Sequence, residues 1–254
     1  MGSTEMEIIK KPMLEYGKPE FDKEYMKWGL HDRETQLKEA ESVLRLVPSG
    51  RPLRILDLAC GIGTHAVYWA QQGHQVTAVD LSQTFTDEGR KLAKEQGVDV
   101  TFAVGDIKTL PYKSCFDVVT WIEHSFFDED MAPAIHGYLA EDGIFIMDQR
   151  NPEHPRIKQR TGNWRTWSQK DGVYLLERHE VDESDGLHHD DWIEINPATG
   201  QVIEKYQVYK PSDRSREAML QDAGFSTEFR TMSGESFAGG PDEYWLWLVA
   251  RKVV

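Results

Sequence analysis

The sequence predicts an α/β fold built around one mostly parallel β-sheet, and three observations support this prediction. Between residues 53 and 148, short apolar runs typical of buried strands alternate with runs typical of helices. A glycine turn, Gly61-Ile62-Gly63, separates the first strand-like run from the first helix-like run. After Gln149, three β-rich runs divided by turn residues replace this alternation. Alternating strands and helices imply parallel strands with right-handed crossovers, whereas the β-rich part implies an antiparallel meander.

The alternating region contains eight predicted elements, which follow a helical segment. Residues 20–47 are typical of helix, because their apolar side chains recur on one face. The predicted strands are 53–58, 75–80, 98–103, 116–121 and 143–148, and the predicted helices are 64–72, 84–96 and 131–140.

The chain after Gln149 is predicted to leave the sheet and return to it. The meander comprises GVYLLERHEVD, LHHDDWIEI and QVIEKYQVYK, and a helix at 213–223 and strands at 225–231 and in EYWLWLVARK follow it. Since ligands bind at the carboxyl edge of such a sheet, we expect the meander to cover that edge. The predicted units are a helical N-terminal arm at 1–50, a core at 51–150, an inserted antiparallel lid at 151–211 and a return to the core sheet at 212–254.

Composition argues against several partners. The formal net charge of −14 repels phosphodiester backbones, so no nucleic-acid partner is expected. The longest apolar run has six residues, Trp245 to Ala250, and the first residues contain no apolar signal segment. Only Cys60 and Cys115 are present, too few for a disulfide framework or a thiolate metal site. We therefore expect a soluble cytoplasmic protein without a membrane partner, and homo-oligomerisation stays open.

The glycine turn has an unusual acidic neighbour. Gly61 to Ala66 fits the pattern G-x-G-x-x-A, which serves several cofactors and is weak evidence by itself. Asp57 lies within the preceding apolar strand, where a carboxylate must be hydrogen-bonded to avoid a large desolvation penalty. A pyrophosphate on the same turn would be repelled by Asp57. A cofactor with a cationic amino-acid end would be attracted to it.

Two further acids follow successive strands. Asp80 comes 19 residues after Gly61 and is placed to accept the hydroxyl groups of a ribose, and Asp106 suits an adenine amino group. Together with Asp57, these positions fit S-adenosylmethionine better than NAD. A nicotinamide-dependent oxidoreductase remains the alternative from another enzyme class.

The segment ILDLACGIG resembles the first motif of the class I S-adenosylmethionine-dependent methyltransferases, and the resemblance covers roughly residues 50–150 and the terminal strands. It implies a Rossmann-like sheet of seven strands. It also implies cofactor contacts from the glycine turn and from the following strand ends, with Leu81 and Ile107 on either side of the base. The implied cofactor residues are Asp57, Ala59, Gly61, Gly63, Asp80, Leu81, Asp106, Ile107 and Trp121.

The segments WIEHSFFDED and IFIMDQRNPEHPR are similar to those of glycine N-methyltransferases and glycine/sarcosine methyltransferases. This resemblance implies that Arg150 grips a substrate carboxylate, with Asp148, Gln149 and Asn151 around it. The chain departs from that group at Glu123 and His124. The His124 imidazole could take a proton from the acceptor or donate a hydrogen bond, and a structural role at the strand end is the alternative.

The N-terminal arm and the meander supply softer candidates. The segment YMKWGLHDRET resembles one that carries an arginine for the cofactor carboxylate, which implies Arg33 in that role. Tyr16 and Tyr25 are candidates for closing the pocket, and Tyr209 for orienting Arg150; ordinary packing is the alternative for each.

The meander also contains candidates for a metal site and an aromatic cage. Because neighbouring strand residues point to opposite faces, only His188 with Asp190, or His189 with Asp191, could share an ion, and we expect no metal. Trp164, Trp167 and Trp192 could form a cage for a methylated ammonium or could simply pack.

The sequence therefore predicts an S-adenosylmethionine-dependent methyltransferase for a small molecule. Nitrogen of a carboxylate-bearing amine or amino acid is the expected acceptor. O- or N-methylation of a natural-product sugar or another metabolite is one alternative, and a non-catalytic S-adenosylmethionine-binding protein is another.

Overall fold

The structure, a computed structural model, describes residues 7–12, 18–28, 33–47, 50–123, 127–155, 162, 164–182, 187–209 and 215–253. Within these residues, twelve strands form two sheets and six helices pack around them. Among the described helices, none has both the length and the apolar character needed to cross a bilayer.

The elements follow one another from a short N-terminal strand to a long C-terminal one. In chain order they are β1 (Glu7–Pro12), α1 (Pro19–Trp28), α2 (Arg33–Leu46), β2 (Arg54–Leu58), α3 (Thr64–Gln71), β3 (Gln75–Asp80), α4 (Gln83–Glu95), β4 (Thr101–Val104), β5 (Phe116–Trp121), α5 (Met131–Tyr138), β6 (Leu139–Arg150), β7 (Arg165–Lys170), β8 (Val173–Asp182), β9 (Leu187–Asn196), β10 (Gln201–Tyr209), α6 (Arg216–Asp222), β11 (Phe225–Thr231) and β12 (Trp245–Lys252).

The core sheet has seven strands in the order β11-β12-β6-β5-β2-β3-β4. Strands β2 to β6 pair in parallel, and β11 and β12 are antiparallel additions at one side. This arrangement confirms the predicted α/β fold with a mostly parallel seven-stranded sheet. The connecting helices cover both faces, which is why the central strands are apolar on both sides.

Each face of the core sheet has its own apolar cluster. Alternate residues of β2 separate accordingly, with Leu56 in the cluster beneath α5 and α6 and Ile55 in the cluster beneath α2, α3 and α4. On the second face, the Trp69 indole is fully buried and donates from Nε1 to the Ala40 carbonyl at 2.9 Å. These contacts fix α2, from the N-terminal arm, against the first crossover helix.

The second sheet has five strands in the order β1-β10-β9-β8-β7. Strands β8, β9 and β10 form the predicted antiparallel meander. Two strands were missing from the prediction. Residues 7–12 lie in the arm, outside the helical segment predicted at 20–47, and pair in parallel with β10, while β7 pairs with β8. The partner of β1 begins at Gln201, so no local sequence signal indicates this pairing.

One boundary within the core also differs from the prediction. Helix α5 ends at Tyr138 and β6 begins at Leu139, although a helix to residue 140 and a strand from 143 were expected. Leu139 is fully buried and pairs with Phe116 of β5, so tertiary packing extends the strand toward its start.

Helix α1 connects the two sheets at the carboxyl edge of the parallel strands. Asp22 accepts a hydrogen bond from Ser82 Oγ at 2.5 Å, directly after the end of β3. Two residues later, Glu24 forms an ion pair with Lys205 of β10. The arm thus lies over the sheet edge where ligands bind in this class of fold.

Candidate active site

The two glycines of the turn after β2 lie in different surroundings. Ala59, Gly61 and Gly63 all adopt left-handed backbone conformations, with φ of 52°, 54° and 74°. A Cβ added at Gly63 would lie 2.6 Å from Phe102 Cε1, so packing excludes a side chain there. A Cβ added at Gly61 would meet no atom of the described residues within 4 Å. The backbone at Gly61 therefore borders open space.

Asp57 is a buried carboxylate with one unused oxygen. It is 2% exposed, and its Oδ1 accepts a hydrogen bond from Thr120 Oγ1 at 2.9 Å. Its Oδ2 is buried and has no hydrogen-bond partner among the residues that the structure describes. Burial raises the pKa of Asp57 to about 6. Since an unsatisfied buried acceptor is unfavourable, this oxygen fits the ammonium group of a cofactor's amino-acid end.

Asp80 fastens the glycine turn to the end of β3. It is fully buried; its Oδ2 accepts from the Gly61 backbone N–H at 2.9 Å and its Oδ1 from the Ser82 backbone N–H at 2.9 Å. The sequence did not indicate this structural role. Ribose binding would use further lone pairs of the same two oxygens, and it stays a prediction.

The residues predicted around the base lie at two neighbouring strand ends. Leu81 follows β3 directly and is 49% exposed, so it presents an apolar surface to solvent. Asp106 follows β4, and its Oδ1 caps the turn by accepting the Lys108 backbone N–H at 2.9 Å. Ile107 is partly buried, and its carbonyl accepts from the Tyr138 hydroxyl at 2.9 Å. These placements leave Leu81 and Asp106 accessible to a ligand.

Trp121 is placed differently from the other predicted cofactor residues. It belongs to the buried cluster beneath α5, and its ring centroid lies 5.3 Å from that of Phe127. Its contacts in this structure are therefore those of a core residue.

Tyr25 of α1 lies over the middle of the site. Its ring is 5.3 Å from that of Phe21 and 5.9 Å from that of Phe85, measured between centroids. Burial raises the pKa of Tyr25, and the negative charges of Glu123 and Asp80 raise it further. Tyr25 is thus close to both acids, as a pocket-closing residue would be. Arg33 is exposed at the first position of α2.

An acidic group that the sequence did not predict as a unit lies beside Asp57. Glu123 follows β5 and accepts from Gln36 Nε2 of α2 at 2.9 Å. Its backbone N–H donates to Asp148 Oδ1 of β6 at 2.8 Å. Glu39, also in α2, lies 3.3 Å from His65 Nε2 of α3. The departure at Glu123 from the resembled group was the one local signal of this cluster.

The residues at the end of β6 that were expected to surround the substrate differ in their exposure to solvent. Asp148 is buried, and burial raises its pKa to about 6. Arg150 is exposed, with its guanidinium 5.2 Å from the centroid of the Trp245 ring. Arg216 of α6 was not predicted; it is partly buried and donates to the Asp148 carbonyl at 3.2 Å. Only a tertiary contact brings Arg216 to this strand end.

Asn151 is buried and organises the segment before β12. Its Nδ2 donates to the carbonyls of Gly240 and Glu243, each at 2.8 Å, and its Oδ1 accepts from the Glu153 backbone N–H at 3.0 Å. These bonds are structural, and a substrate contact by Asn151 remains a prediction.

Several predicted residues cannot be placed. His124 and Tyr16 lie outside the described residues, as do the side chains of Tyr209 and Trp167. In the second sheet, Trp164 stacks with the guanidinium of Arg178 at 4.8 Å, and Trp192 is half-buried.

The histidine-rich strand of the second sheet pairs with its neighbours. Asp190 Oδ1 lies 2.5 Å from His179 Nδ1, and the rings of His179 and His188 are 5.0 Å apart. Within the described ranges, no three His, Cys, Asp or Glu side chains are grouped to hold a metal ion.

Comparison with known proteins gives matches over part of the chain. Residues 55–143 match the model of a family described as methyltransferase domain. Malonyl-[acyl-carrier protein] O-methyltransferase of Pectobacterium atrosepticum is 40% identical over 93 residues, which cover 35% of this chain and 35% of that protein. Cypemycin N-terminal methyltransferase of a Streptomyces species is 36% identical over 128 residues, covering 46% of this chain and 51% of that protein. The chain thus spans between a third and about half of the length of these curated relatives.

Solved structures match over nearly the whole chain. An S-adenosylmethionine-dependent methyltransferase from Clostridium acetobutylicum aligns with a TM-score of 0.66 and 17% identity, covering 92% of this chain and 98% of that one. The sugar N-methyltransferase KedS8 from Streptoalloteichus aligns with a TM-score of 0.65 and 19% identity, covering 100% of this chain and 98% of that one. The chain therefore has the Rossmann-like fold seen in these methyltransferase structures, and its residues 55–143 are similar to the methyltransferase-domain family.

Proposed function

We propose that this chain is an S-adenosylmethionine-dependent methyltransferase that methylates nitrogen on a small amine or amino acid bearing a carboxylate. The observation that carries the proposal is the unused, buried Oδ2 of Asp57 beside open space at Gly61, at the carboxyl edge of a methyltransferase fold. A cationic amino-acid end satisfies that oxygen, whereas a pyrophosphate would be repelled by it. S-adenosylmethionine is the cofactor that these residues and the family match support.

The residues of this chain have distinct tasks in such a reaction. When bound, S-adenosylmethionine supplies a methyl group on a sulfonium sulfur that departs as a neutral thioether. Asp57 would accept a hydrogen bond from the ammonium group of the cofactor, and the Gly61 backbone would let the cofactor approach closely. Tyr25 and helix α1 exclude water from the sheet edge. Orientation of this kind contributes up to roughly 7–11 kcal/mol of barrier lowering in favourable cases.

The carboxylate clamp is the finer part of the proposal and rests on the resemblance at Arg150. The guanidinium of Arg150 can hold a carboxylate through two parallel hydrogen bonds. Its stacking on Trp245 leaves it exposed, so a ligand can reach it.

A second candidate function is O- or N-methylation of a sugar or another metabolite. The acidity of the buried group around Glu123 favours it, because an acceptor without a carboxylate avoids repulsion there. A panel of amino acids, alkylamines and amino sugars, assayed with labelled methyl donor, separates the two. Transfer only to sugars would replace the first proposal. Donor binding without any transfer would indicate a non-catalytic binding protein.

Calorimetry on two matched glycine variants tests the cofactor site. Gly61 and Gly73 both have positive φ, 54° and 88°, and a Cβ at either would meet no described atom within 4 Å. Gly61→Ala and Gly73→Ala should therefore carry a similar backbone strain of about 1–2 kcal/mol. Only Gly61→Ala places its methyl group where the cofactor approaches.

We expect S-adenosylhomocysteine to bind the parent and Gly73→Ala alike, and to bind Gly61→Ala at least about tenfold more weakly. NADH should not bind. Tight NADH binding without S-adenosylhomocysteine binding would reject the proposed function, and equal affinities of the two variants would reject the role of Gly61.

A further inference from the structure

The two faces of the second sheet differ in burial. One face is turned toward the rest of the molecule, because Lys205 of β10 forms an ion pair with Glu24 of α1. We call it the inner face. Among the described residues of this sheet, four side chains are buried, and the strand registers place all of them on the inner face: Leu175, Glu177, Glu194 and Lys205.

The opposite side of the sheet is apolar and exposed. We define this outer face by six side chains that the registers of β1, β8, β9 and β10 place on one side: Ile8, Tyr174, Ile193, Ile195, Tyr206 and Val208. Ile8, Tyr206 and Val208 are 56%, 47% and 48% exposed. Of the described side chains on this side of the sheet, none is buried.

This distribution is the reverse of that in an ordinary antiparallel sheet. Such a sheet turns its apolar side chains toward the core and its polar ones toward water. Here three of the four buried inner side chains are charged, whereas the outer face is apolar. An exposed apolar surface that runs across several strands marks an interaction site in a soluble protein. The stretches of chain outside the described residues are six residues long or shorter, too short to cover five strands.

The charged side chains on the same side of the sheet are paired within the chain. Lys10 Nζ lies 2.7 Å from Glu204 Oε2. Arg178 lies 2.6 Å from Asp191 Oδ2 and 3.3 Å from Glu180 Oε1. Because each cation already has an acidic partner, this side does not select a ligand of opposite charge. The net charge of −14 also disfavours an anionic membrane surface. An identical apolar face with the same internal ion pairs is a suitable cover.

The size of the sheet matches the needs of a dimer. Its five strands together contain 41 residues. With a rise of about 3.4 Å per residue and about 4.8 Å between strands, one face has a footprint of about 670 Å². Two such faces bury about 1,300 Å² in total, which lies within the roughly 1,200–2,000 Å² of stable specific interfaces.

We propose that this chain forms a homodimer in which the outer faces of two copies pack against each other about a two-fold axis. Sheets packed in this way lie about 10 Å apart and interdigitate their side chains. The partner sheet backs β10, whose inner side holds α1 through the ion pair of Lys205 with Glu24. The inference goes beyond the proposed function and does not depend on the identity of the cofactor or the acceptor.

Sedimentation equilibrium of the full chain at neutral pH tests the dimer. We expect a dimer with a dissociation constant of about 10 µM or tighter, measured over about 0.1–100 µM protein. Association should strengthen when the salt concentration rises from about 0.05 to 0.5 M, because screening weakens the repulsion between two copies that each carry a charge of −14.

Matched valine variants locate the interface. Val208→Glu should weaken association by about a hundredfold or more, because each dimer would bury two carboxylates without partners. Val253 is also exposed, at 62%, but lies outside the second sheet, so Val253→Glu should dimerise like the parent. Ile8→Glu, on another strand of the outer face, should act like Val208→Glu and serves as the test if that variant does not fold. Urea unfolding of each variant checks its fold.

Three results would overturn the inference. The first is a parent protein that stays monomeric up to about 100 µM. The second is unchanged association of folded Val208→Glu and Ile8→Glu, as expected if the copies paired through an edge strand or another surface. The third is equal weakening by Val253→Glu, which would indicate a general effect of added charge.

Discussion

Replacement of Asp57 by asparagine should change how the stability of this protein depends on pH. Asp57 is buried in β2, and its pKa lies at about 6 in the folded state against an ordinary value of 3.8. The folded state therefore binds the Asp57 proton more tightly than the unfolded state does. The stabilisation from this proton is complete below pH 3.8 and is lost as the pH rises through about 6.

The size of the effect follows from the two pKa values. The pKa is shifted by roughly two units, and each unit corresponds to about 1.36 kcal/mol. Ionisation of Asp57 therefore lowers the free energy of unfolding by about 3 kcal/mol at pH 8 and by about 1 kcal/mol at pH 4.5. Asparagine does not titrate, and its carbonyl oxygen can keep the Thr120 hydrogen bond. Its amide nitrogen would occupy the site of Oδ2 at a cost of about 1–3 kcal/mol that is independent of pH.

Urea unfolding at pH 4.5 and pH 8 measures this difference directly. At each pH, the quantity to compare is the free energy of unfolding of Asp57→Asn minus that of the parent. This difference should be about 2 kcal/mol more positive at pH 8 than at pH 4.5. Asp99→Asn, an exposed change before β4, should show no such pH dependence. An Asp57→Asn difference of the same size at both pH values would refute the reasoning.

Two further changes have defined outcomes. Gly63→Ala should lower the free energy of unfolding in urea by about 2–5 kcal/mol, because the new Cβ combines left-handed backbone strain with a 2.6 Å clash against Phe102. Gly73→Ala should show only the effect of the strain. Equal losses of stability in the two variants would contradict the packing argument. Arg150→Ala should raise the Michaelis constant for a carboxylated acceptor about tenfold or more, with little change in kcat. Arg45→Ala, an exposed change on α2, should leave the Michaelis constant unchanged. Unchanged kinetics of Arg150→Ala would contradict the role of Arg150 in binding the carboxylate.

The core sheet was predictable because its signals are local. Strands β2, β3 and β5 and helices α3 and α4 follow the apolar periodicity to within a residue or so, since each buries a face that the sequence already marks. The same periodicity missed β1 and β7, whose pairing with β10 and β8 depends on distant or short segments.

The candidate site was predictable to a similar extent. The positions of Asp57, Gly61 and Asp80 at strand ends follow from the order of elements. What they contact did not follow, because Asp80 binds the backbone of the glycine turn and Asp57 retains an unused oxygen. Such partners depend on angles and distances that no spacing in the sequence specifies.

The sequence by itself determined the α/β class, the order in which strands and helices follow one another, and which acids lie at the carboxyl ends of the strands. These features are predictable because apolar periodicity and turn residues are patterns of a few neighbouring positions. Tertiary structure alone decided that Gln36, from the arm, donates a hydrogen bond to Glu123, from a strand end 87 residues later in the sequence. It also decided that Arg216 reaches Asp148. The physical reason is that such hydrogen bonds depend on which helix packs over which strand end, and that packing is set by the whole apolar core.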